Sequence, residues 1–240
     1  GRTYLSHLLG TSVAFVLPAM IYCYWKKGGD INFTDGSLLT TDIGSGAGLI
    51  VLLAFTFGFA KNGLMPFHSW LPNAMVAPTP VSALLHAVAV VKVGVFCVIR
   101  VFTGVFGIDL LEKLDIAVVV SWIAAFTVIT SSLIALSQDN LKRRLAFSTI
   151  GQLSYIILGV SLLLPLGVTG SILHVAMHAF GKITLFFCAG AIYVAMHKKY
   201  VSELVGIGRK MPITMTAFAI GSLSVIGLPV TGGLVSKWYL

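Results

Sequence analysis

Charged residues are scarce in this chain of 240 residues. Only 10% of the residues are charged and 57% are hydrophobic, whereas soluble domains usually carry about 25% charged residues. The deficit excludes an ordinary soluble domain and predicts a membrane protein. The net charge of +8 comes from basic residues scattered through short loops. They form no aromatic-rich basic face, so we expect no nucleic-acid partner.

Carboxylates and cysteines are also few, and their positions exclude several kinds of site. The three cysteines have neither CxxC spacing nor clustered histidines, so we expect no metal site, iron–sulfur cluster or disulfide framework. The sequence contains no nucleophile–base pair, phosphate loop or redox motif, so we expect no catalytic residues and no cofactor in the chain. All eight carboxylates lie in loops or at the edges of apolar runs: Asp30, Asp35, Asp42, Asp109, Glu112, Asp115, Asp139 and Glu203.

Seven apolar runs are long enough to cross a membrane as helices, which need about 20 residues each. They lack the alternation of a β-barrel, and a helix satisfies its own backbone inside a bilayer. We therefore predict an all-α, polytopic transmembrane bundle that forms one domain over residues 1–240. The predicted spans are Leu5–Trp25, Ile43–Leu64, Val81–Phe102, Ala117–Leu136, Leu145–Leu164, Val168–Met196 and Met211–Val230.

Two of these spans run into segments rich in glycine and proline. The first segment is residues 60–80, AKNGLMPFHSWLPNAMVAPTP, and the second is residues 227–240, GLPVTGGLVSKWYL. Proline removes a backbone donor and clashes with the preceding turn. Such interruptions indicate discontinuous helices of the kind that form transporter sites. The alternative, which the spacing leaves equally open, is a helix end followed by a loop.

Alternation of the spans sorts the basic loop residues unequally between two sides. Eight fall on one side and four on the other, and the positive-inside rule makes the richer side cytoplasmic. The predicted cytoplasmic set is Arg2, Lys142, Arg143, Arg144, Lys198, Lys199, Arg209 and Lys210, and the opposite set is Lys26, Lys27, Arg100 and Lys113.

Lys92 lies about halfway along the apolar run Val81–Phe102. A lysine at the centre of a membrane helix costs about 2.5–3.5 kcal/mol on insertion scales. Such a residue is tolerated mainly beside a wet cavity, a partner charge or an ion path, so Lys92 is a candidate for a proton pathway. His86 precedes it by about 9 Å along a helix axis. The two do not share a face, but both could border one cavity.

Three titratable residues follow at intervals of four in the sixth span. His174, His178 and Lys182 lie on one helix face, spread over about 12 Å. Groups of this kind can relay protons when their pKa values are similar. Structural hydrogen bonding between helices and metal binding by HxxxH are the alternatives, although no nearby carboxylate or cysteine completes a ligand set.

Two further lysines lie next to the interrupted segments. Lys61 is near mid-membrane if its span continues to about Pro78, and it reaches the headgroups if the span ends at Leu64. Lys237 follows the second interruption, where its depth cannot be judged from sequence. His68 lies inside the first interruption and is either a half-helix cap or a path residue.

Four segments, in order, resemble one family. Residues 60–87, 139–159, 174–187 and 227–240 resemble signature segments of the antiporter-like subunits shared by Mrp-type cation/proton antiporters, respiratory complex I and membrane-bound hydrogenases. Residues 1–19, GRTYLSHLLGTSVAFVLPA, most resemble the branch that contains the D subunit of the Mrp antiporter. The resemblance extends from the first of these segments to the last and so covers nearly the whole chain.

The resemblance implies a fourteen-helix fold made of two inverted five-helix repeats, with discontinuous seventh and twelfth helices. The chain would be an internal fragment that holds helices six to twelve. The family implies a central polar axis of proton-carrying residues in multi-subunit complexes of the bacterial or archaeal cell membrane, with protons and in some cases sodium or another monovalent cation transported. The positions that match this axis are Lys61, His86, Lys92, His174, His178, Lys182 and Lys237.

One element of the family pattern lies outside the sequence. The family pairs its seventh-helix lysine, matched here by Lys61, with a glutamate on the fifth helix, and the chain begins at the sixth. We therefore expect a proton-translocating subunit most like the D subunit of an Mrp antiporter, with a complex I or hydrogenase subunit as the alternative. Two hypotheses of other classes remain: a quinone-binding subunit, for which His68 and Trp70 are a weak basis, and a structural anchor.

Overall fold

The computed structural model describes residues 2–29, 38–39, 43–84, 89–229 and 231–240, and its regular elements are helices. Short 3₁₀ or π-helical segments join several of them: Ser12–Val16, Ala60–Asn62, Ala74–Val76, Val101–Phe106 and Val201–Leu204. The α-helices are α1 (Arg2–Thr11), α2 (Leu17–Lys26), α3 (Ser45–Gly58), α4 (Trp70–Asn73), α5 (Thr79–Ala83), α6 (Val90–Arg100), α7 (Ile108–Leu114), α8 (Ala117–Ser137), α9 (Leu141–Ser161), α10 (Pro165–Met196), α11 (Ile207–Lys210), α12 (Pro212–Ile226) and α13 (Gly232–Tyr239).

The predicted all-α membrane bundle is confirmed, although the spans differ in length from the sequence expectation. Three helical stretches in the described part of the chain are by themselves long and apolar enough to cross a membrane: Leu5–Lys26, α8 and α10. A fourth is formed by Val90–Phe106 and α7 if this pair, bent by 80°, counts as one span. The apolar helices α3 and α12 are shorter, with 14 and 15 residues, because each ends at an interruption.

The predicted span Val81–Phe102 is not one regular helix. Helix α5 ends at Ala83, Ala89 has non-helical backbone angles (φ −94°, ψ −81°), and α6 begins at Val90. Lys92 therefore lies in the first turn of α6 rather than halfway along a helix. Nothing in the local sequence explains the position of this helix start. The prediction that Lys92 is buried holds, because only 6% of the residue is exposed.

Helix α8 shows the burial pattern of a helix that faces lipid. Its inward face carries small and hydroxyl-bearing residues, among them Ala124, Thr127 and Ser131, which pack against α9. Small residues let membrane helices approach closely. Its outward face is exposed and strongly apolar, which is the reverse of a soluble helix and fits a bilayer environment. The exposed large residues include Trp122, Phe126, Ile129, Leu133 and Leu136.

The start of the first interruption, residues 60–64, lies largely in the interior, where side chains bond several backbone groups. The Asn62 side chain donates to the Thr56 carbonyl (2.7 Å) and accepts from the Leu64 N–H (3.0 Å). The Trp70 indole N–H donates to the Ala60 carbonyl at 2.9 Å. Irregular backbone at membrane depth is tolerated where protein buries and pairs it. Helix α3 ends at Gly58, and the chain continues through a 3₁₀ turn to the four-residue helix α4, an arrangement that fits both interpretations of the sequence.

Helix α10 is the element on which the candidate site is assembled. It packs against α9, α12 and α13, and also against α5 and α6. Proline occupies the start of α10, where a missing N–H costs nothing, and His197 ends it in the left-handed conformation (φ 54°). Asn140 caps the neighbouring helix α9 by accepting from the Arg143 N–H at 3.1 Å. These features set where α9 begins and where α10 begins and ends.

Candidate functional site

Lys92 and His178 meet at the contact between α6 and α10. The Lys92 Nζ atom lies 2.6 Å from His178 Nδ1, and both residues are buried. An ammonium group can only donate, so Nδ1 accepts when Lys92 is charged, and the neutral imidazole then carries its proton on Nε2. His178 Nε2 is buried and has no hydrogen-bond partner among the described residues.

His174 lies one turn before His178 on α10 and is bonded through both ring nitrogens. Its Nε2 lies 3.0 Å from Oε1 of Gln152 on α9, and its Nδ1 lies 2.9 Å from Oγ of Ser236 on α13. The two imidazole rings are 5.9 Å apart between centroids and inclined at 33°. This geometry confirms that the interval of four places both histidines on one buried face.

Lys182 continues the same face of α10. It is fully buried, and its Nζ donates to the Leu145 carbonyl on α9 at 3.1 Å. That carbonyl also accepts from the Thr149 hydroxyl at 2.9 Å. No carboxylate appears among the hydrogen-bond partners of these buried bases in the described residues. Their positive charge is therefore balanced only by dipoles, and holding several protons on them at once is costly.

Lys237 bridges the second interruption. Its Nζ donates to the carbonyls of Val225 (2.9 Å) and Ile226 (3.2 Å), the last two residues of α12. These carbonyls have no intrahelical partner, and a cation there also interacts favourably with the helix dipole. Gly227 follows with φ 88°, a conformation that glycine adopts without strain. The ammonium also lies 5.5 Å from the ring centroid of Tyr155 on α9.

Lys61 lies in the first interruption, beside α6 but apart from the histidines. It borders a cavity of about 120 Å³ that is also lined by Gly94 and Cys97 of α6. The backbone of Lys61 can approach α6 because Gly94 has no side chain, and a Cβ there would lie 2.6 Å from the Lys61 carbonyl carbon. The Lys61 side chain forms no hydrogen bond with the described residues.

Two further histidines belong to the sequence predictions: His86 of the predicted proton pathway and His68 of the quinone-binding hypothesis. His86 falls among residues 85–88, outside the described ranges. His68 lies near Phe147, with ring centroids 6.3 Å apart, and its buried Nδ1 has no hydrogen-bond partner in the described part of the chain. Trp70, the other residue of the quinone hypothesis, is 2% exposed and uses its N–H on the backbone.

Two partners in the site, Ser236 and Tyr155, were not found from sequence. A single serine or tyrosine in an apolar run carries no signal of its own, because small polar residues in membrane helices are usually packing contacts. The position of Ser236 next to Lys237 was the only available hint. Gln152 is a polar residue within an apolar run, but its contact with His174 depends on how α9 and α10 face each other.

A cavity of about 850 Å³ lies away from these bases. It opens between residues 72–80, the start of α9 and the end of α10. Its lining is mostly apolar but includes four basic residues, Lys142, Arg143, Lys198 and Lys199. None of the buried lysines or histidines described above lines it, so this cavity is separate from the candidate site.

Comparisons with known proteins agree with this arrangement of helices. Residues 3–240 match the family model described as NADH:quinone oxidoreductase/Mrp antiporter, TM. NADH-quinone oxidoreductase subunit N of Desulforudis audaxviator is 37% identical, covering 97% of this chain and 47% of that protein. F(420)H(2) dehydrogenase subunit L of Methanosarcina mazei is 38% identical, covering 77% of this chain and 27% of that protein.

The fold is shared with a solved member of the same group. The structure of the Mrp complex from Dietzia sp. matches with a TM-score of 0.86 and 27% identity, covering 100% of this chain and 26% of that chain. The chain thus spans about half the length of its relatives, or less. Because the family model covers nearly the whole chain, this membrane protein belongs to the family of NADH:quinone oxidoreductase and Mrp antiporter transmembrane subunits.

Proposed function

We propose that the chain is part of a proton-translocating subunit of a multi-subunit membrane complex, and that its buried bases carry the protons. The observation that carries the proposal is the 2.6 Å contact between Lys92 Nζ and His178 Nδ1, which joins α6 to α10. A proton can pass from the ammonium to the ring nitrogen across this contact. The amine is then neutral, the ring is an imidazolium, and the charge of the pair is unchanged.

The other bases extend this pair in both directions. On the Lys61 side, Lys92 and His86 act as the connector, and Lys61 acts as the entry group at the first interruption. His174, His178 and Lys182 form the central relay along α10. Lys237 is the outgoing donor, and it must leave the carbonyls of Val225 and Ile226 to transfer its proton. Release is thereby linked to the geometry of the second interruption.

The complex that contains this subunit could be an antiporter or a redox-driven pump. We propose an Mrp-type cation/proton antiporter, with the chain in the position of the D subunit, because residues 1–19 most resemble that branch. The named relatives include subunits of NADH-quinone oxidoreductase and of F(420)H(2) dehydrogenase, so a redox-driven complex is the alternative. Sodium-dependent proton exchange without a redox substrate, measured on the purified complex in proteoliposomes, supports the first. Proton pumping that requires a reduced donor supports the second.

The test of the relay is Lys92→Met in the full-length protein within its complex. Methionine keeps the length of the side chain and removes the proton carrier. We expect proton translocation in proteoliposomes to be abolished while the complex still assembles. The matched control is Lys113→Met, which removes an exposed lysine from the last turn of α7. Normal translocation by Lys92→Met refutes the proposal, and loss of assembly in that variant alone favours the structural anchor.

A further inference from the structure

His174 differs from His178 because both of its ring nitrogens have a hydrogen-bond partner among the described residues. Gln152 holds Nε2 from α9, and Ser236 holds Nδ1 from α13. His174 is 2% exposed and Ser236 is fully buried. Three separate helices therefore meet at one imidazole, and the partners decide which protonation states the ring can adopt.

The neutral ring is satisfied in the arrangement observed. The Gln152 Oε1 atom can only accept, so Nε2 carries the proton, and Nδ1 has a free lone pair. The Ser236 hydroxyl can donate to that lone pair across 2.9 Å. Turning the Gln152 amide over gives the opposite tautomer, in which Nδ1–H donates to Ser236 Oγ. Both neutral forms fill every hydrogen-bonding position on the ring.

The charged ring can also form all of its hydrogen bonds, because the Ser236 hydroxyl has another group to which it can donate. An imidazolium donates from both nitrogens, so Gln152 Oε1 and Ser236 Oγ must both accept. The serine proton then needs another acceptor, and the Gly233 carbonyl lies 3.2 Å from Oγ. Rotation of one hydroxyl therefore changes the site from one that suits neutral His174 to one that suits its cation, without movement of heavier atoms.

Neighbouring bases lack such a switch within the described residues. Lys182 donates to a carbonyl, which cannot donate in return when the amine loses its proton. His178 has no described partner on Nε2. An unpaired buried donor or acceptor costs about 1–3 kcal/mol, so a change of protonation at these groups requires some rearrangement. His174 is exempt from that requirement.

We propose that Gln152 and Ser236 are positioning residues that allow His174 to gain and lose a proton in place, with the Ser236 hydroxyl as the rotating element. This inference rests on the proposed proton-relay function. It also connects the relay to the second interruption, because Ser236 precedes Lys237 on α13. A displacement of α13 that frees Lys237 from the end of α12 also withdraws the hydroxyl from His174.

The first experiment compares Ser236→Ala with a matched serine variant in the full-length protein within its complex. Loss of a hydrogen bond to a charged ring predicts a fall of about tenfold or more in proton translocation. The control is Ser154→Ala, a buried serine on α9 whose hydroxyl, among the described residues, bonds the Ile150 carbonyl of its own helix at 3.0 Å. Its rate should stay near that of the unmodified protein. Equal rates for the two variants overturn the proposal.

A second variant separates positioning from simple structural support. Gln152→Glu offers Nε2 an anion that favours the charged ring, whereas Ser236→Ala removes an acceptor that the charged ring needs. The pH–rate profiles of the two variants should therefore move in opposite directions, Ser236→Ala toward lower pH and Gln152→Glu toward higher pH. Both variants leave the titratable groups near His174 in place. These are His178 on α10, Lys92, which contacts His178 from α6, and Lys237 on α13. Movement in the same direction overturns the proposal.

The outcomes also distinguish this inference from the function on which it rests. If Lys92→Met translocates protons normally, the proposed function fails. If Lys92→Met is inactive but Ser236→Ala behaves like Ser154→Ala, only the positioning role fails. Should Ser236→Ala not assemble, Ser236→Cys keeps the volume with a weaker hydrogen-bonding group, and a rate between the unmodified and inactive proteins is expected. An unchanged rate in Ser236→Cys then counts against the proposal.

Discussion

Lys92 and His178 form the shortest contact of the relay, and their energetic coupling can be measured. Hydrogen bonds that involve a charged group contribute about 1.5–3 kcal/mol. We expect Lys92→Met and His178→Leu each to leave the other partner buried and unpaired. The double variant should therefore unfold with about 1–3 kcal/mol less destabilisation than the sum of the two single variants.

The measurement is a double-mutant cycle of the free energy of unfolding in detergent. The control cycle pairs His178→Leu with Lys113→Met, since Lys113 is exposed on α7 and has no described contact with the relay. That control should be additive within about 0.5 kcal/mol. If the Lys92 and His178 variants are additive as well, the 2.6 Å contact does not hold the two helices together.

The sequence predicted those features of the site that depend on neighbouring residues in the chain, and it did not predict contacts between distant segments. The burial of Lys92 and the shared face of His174, His178 and Lys182 follow from apolar surroundings and helical spacing. The pairing of Lys92 with His178 spans 86 positions in the chain, and no periodicity encodes it. Lys237 was predicted as a relay group, but its contact with the end of α12 depends on the angle between two half-helices. The sequence shows an interruption without fixing that angle.

At the scale of elements, the approach of the first interruption to α6 depends on one glycine. A Cβ on Gly94 would lie 2.5 Å from the Asn62 nitrogen and 2.6 Å from the Lys61 carbonyl carbon. Both are backbone atoms and cannot rotate away. We expect Gly94→Ala to separate α6 from residues 60–62, to lower the free energy of unfolding by roughly 1–3 kcal/mol, and to reduce translocation by displacing Lys61.

The matched control is Gly46→Ala, because a Cβ at Gly46 meets nothing within 4 Å. Alanine has the higher helix propensity, so this variant in the first turn of α3 should keep or slightly raise stability. Thermal unfolding of both purified variants checks the prediction. A Gly94→Ala protein as stable as Gly46→Ala would show that the two elements do not pack as closely as described.

The loops before α9 and after α10 are joined outside the membrane by a carboxylate. The backbone N–H and the hydroxyl of Ser202 donate to Asp139 at 3.0 and 2.8 Å. These bonds, with the attraction of Arg144, lower the pKa of Asp139 below its usual range. A lowered pKa means that the contact stabilises the loop above the ordinary value of about 3.9 and is lost as the pH falls through the folded value.

Hydrogen–deuterium exchange of residues 198–205 measures this dependence. Exchange should be slow near neutral pH and should rise, after correction for the intrinsic rate, once the pH falls below about 4. Asp139→Asn keeps an acceptor that does not titrate, so its corrected exchange should not depend on pH in this range. An equally steep acid dependence in Asp139→Asn would assign the effect to another group.

For the whole molecule, composition was sufficient to predict a membrane bundle, and the motifs were sufficient to predict the family. Helix lengths were less predictable, because a run of apolar residues does not reveal where buried polar groups such as Asn62 let the backbone leave a helix. Interruptions of the apolar runs are thus visible from sequence as glycine and proline, while the exact ends of the helices depend on tertiary hydrogen bonds. The structure adds that the start of α9 and the loop after α10 meet, since Lys142 of α9 and Lys199 after α10 both lie over the Tyr193 ring.

The orientation of the bundle in the membrane can be measured by labelling introduced thiols. Lys210 belongs to the basic-rich side, which the positive-inside rule makes cytoplasmic, and Lys113 to the opposite side; both are exposed. In a background without the native thiols, a membrane-impermeant maleimide applied to intact cells should label Lys113→Cys and should reach Lys210→Cys only after the cells are opened. The reverse pattern would show that the membrane orientation is opposite to the one predicted. Labelling of both thiols in intact cells would place the two loops on one side and rule out the predicted alternation of spans.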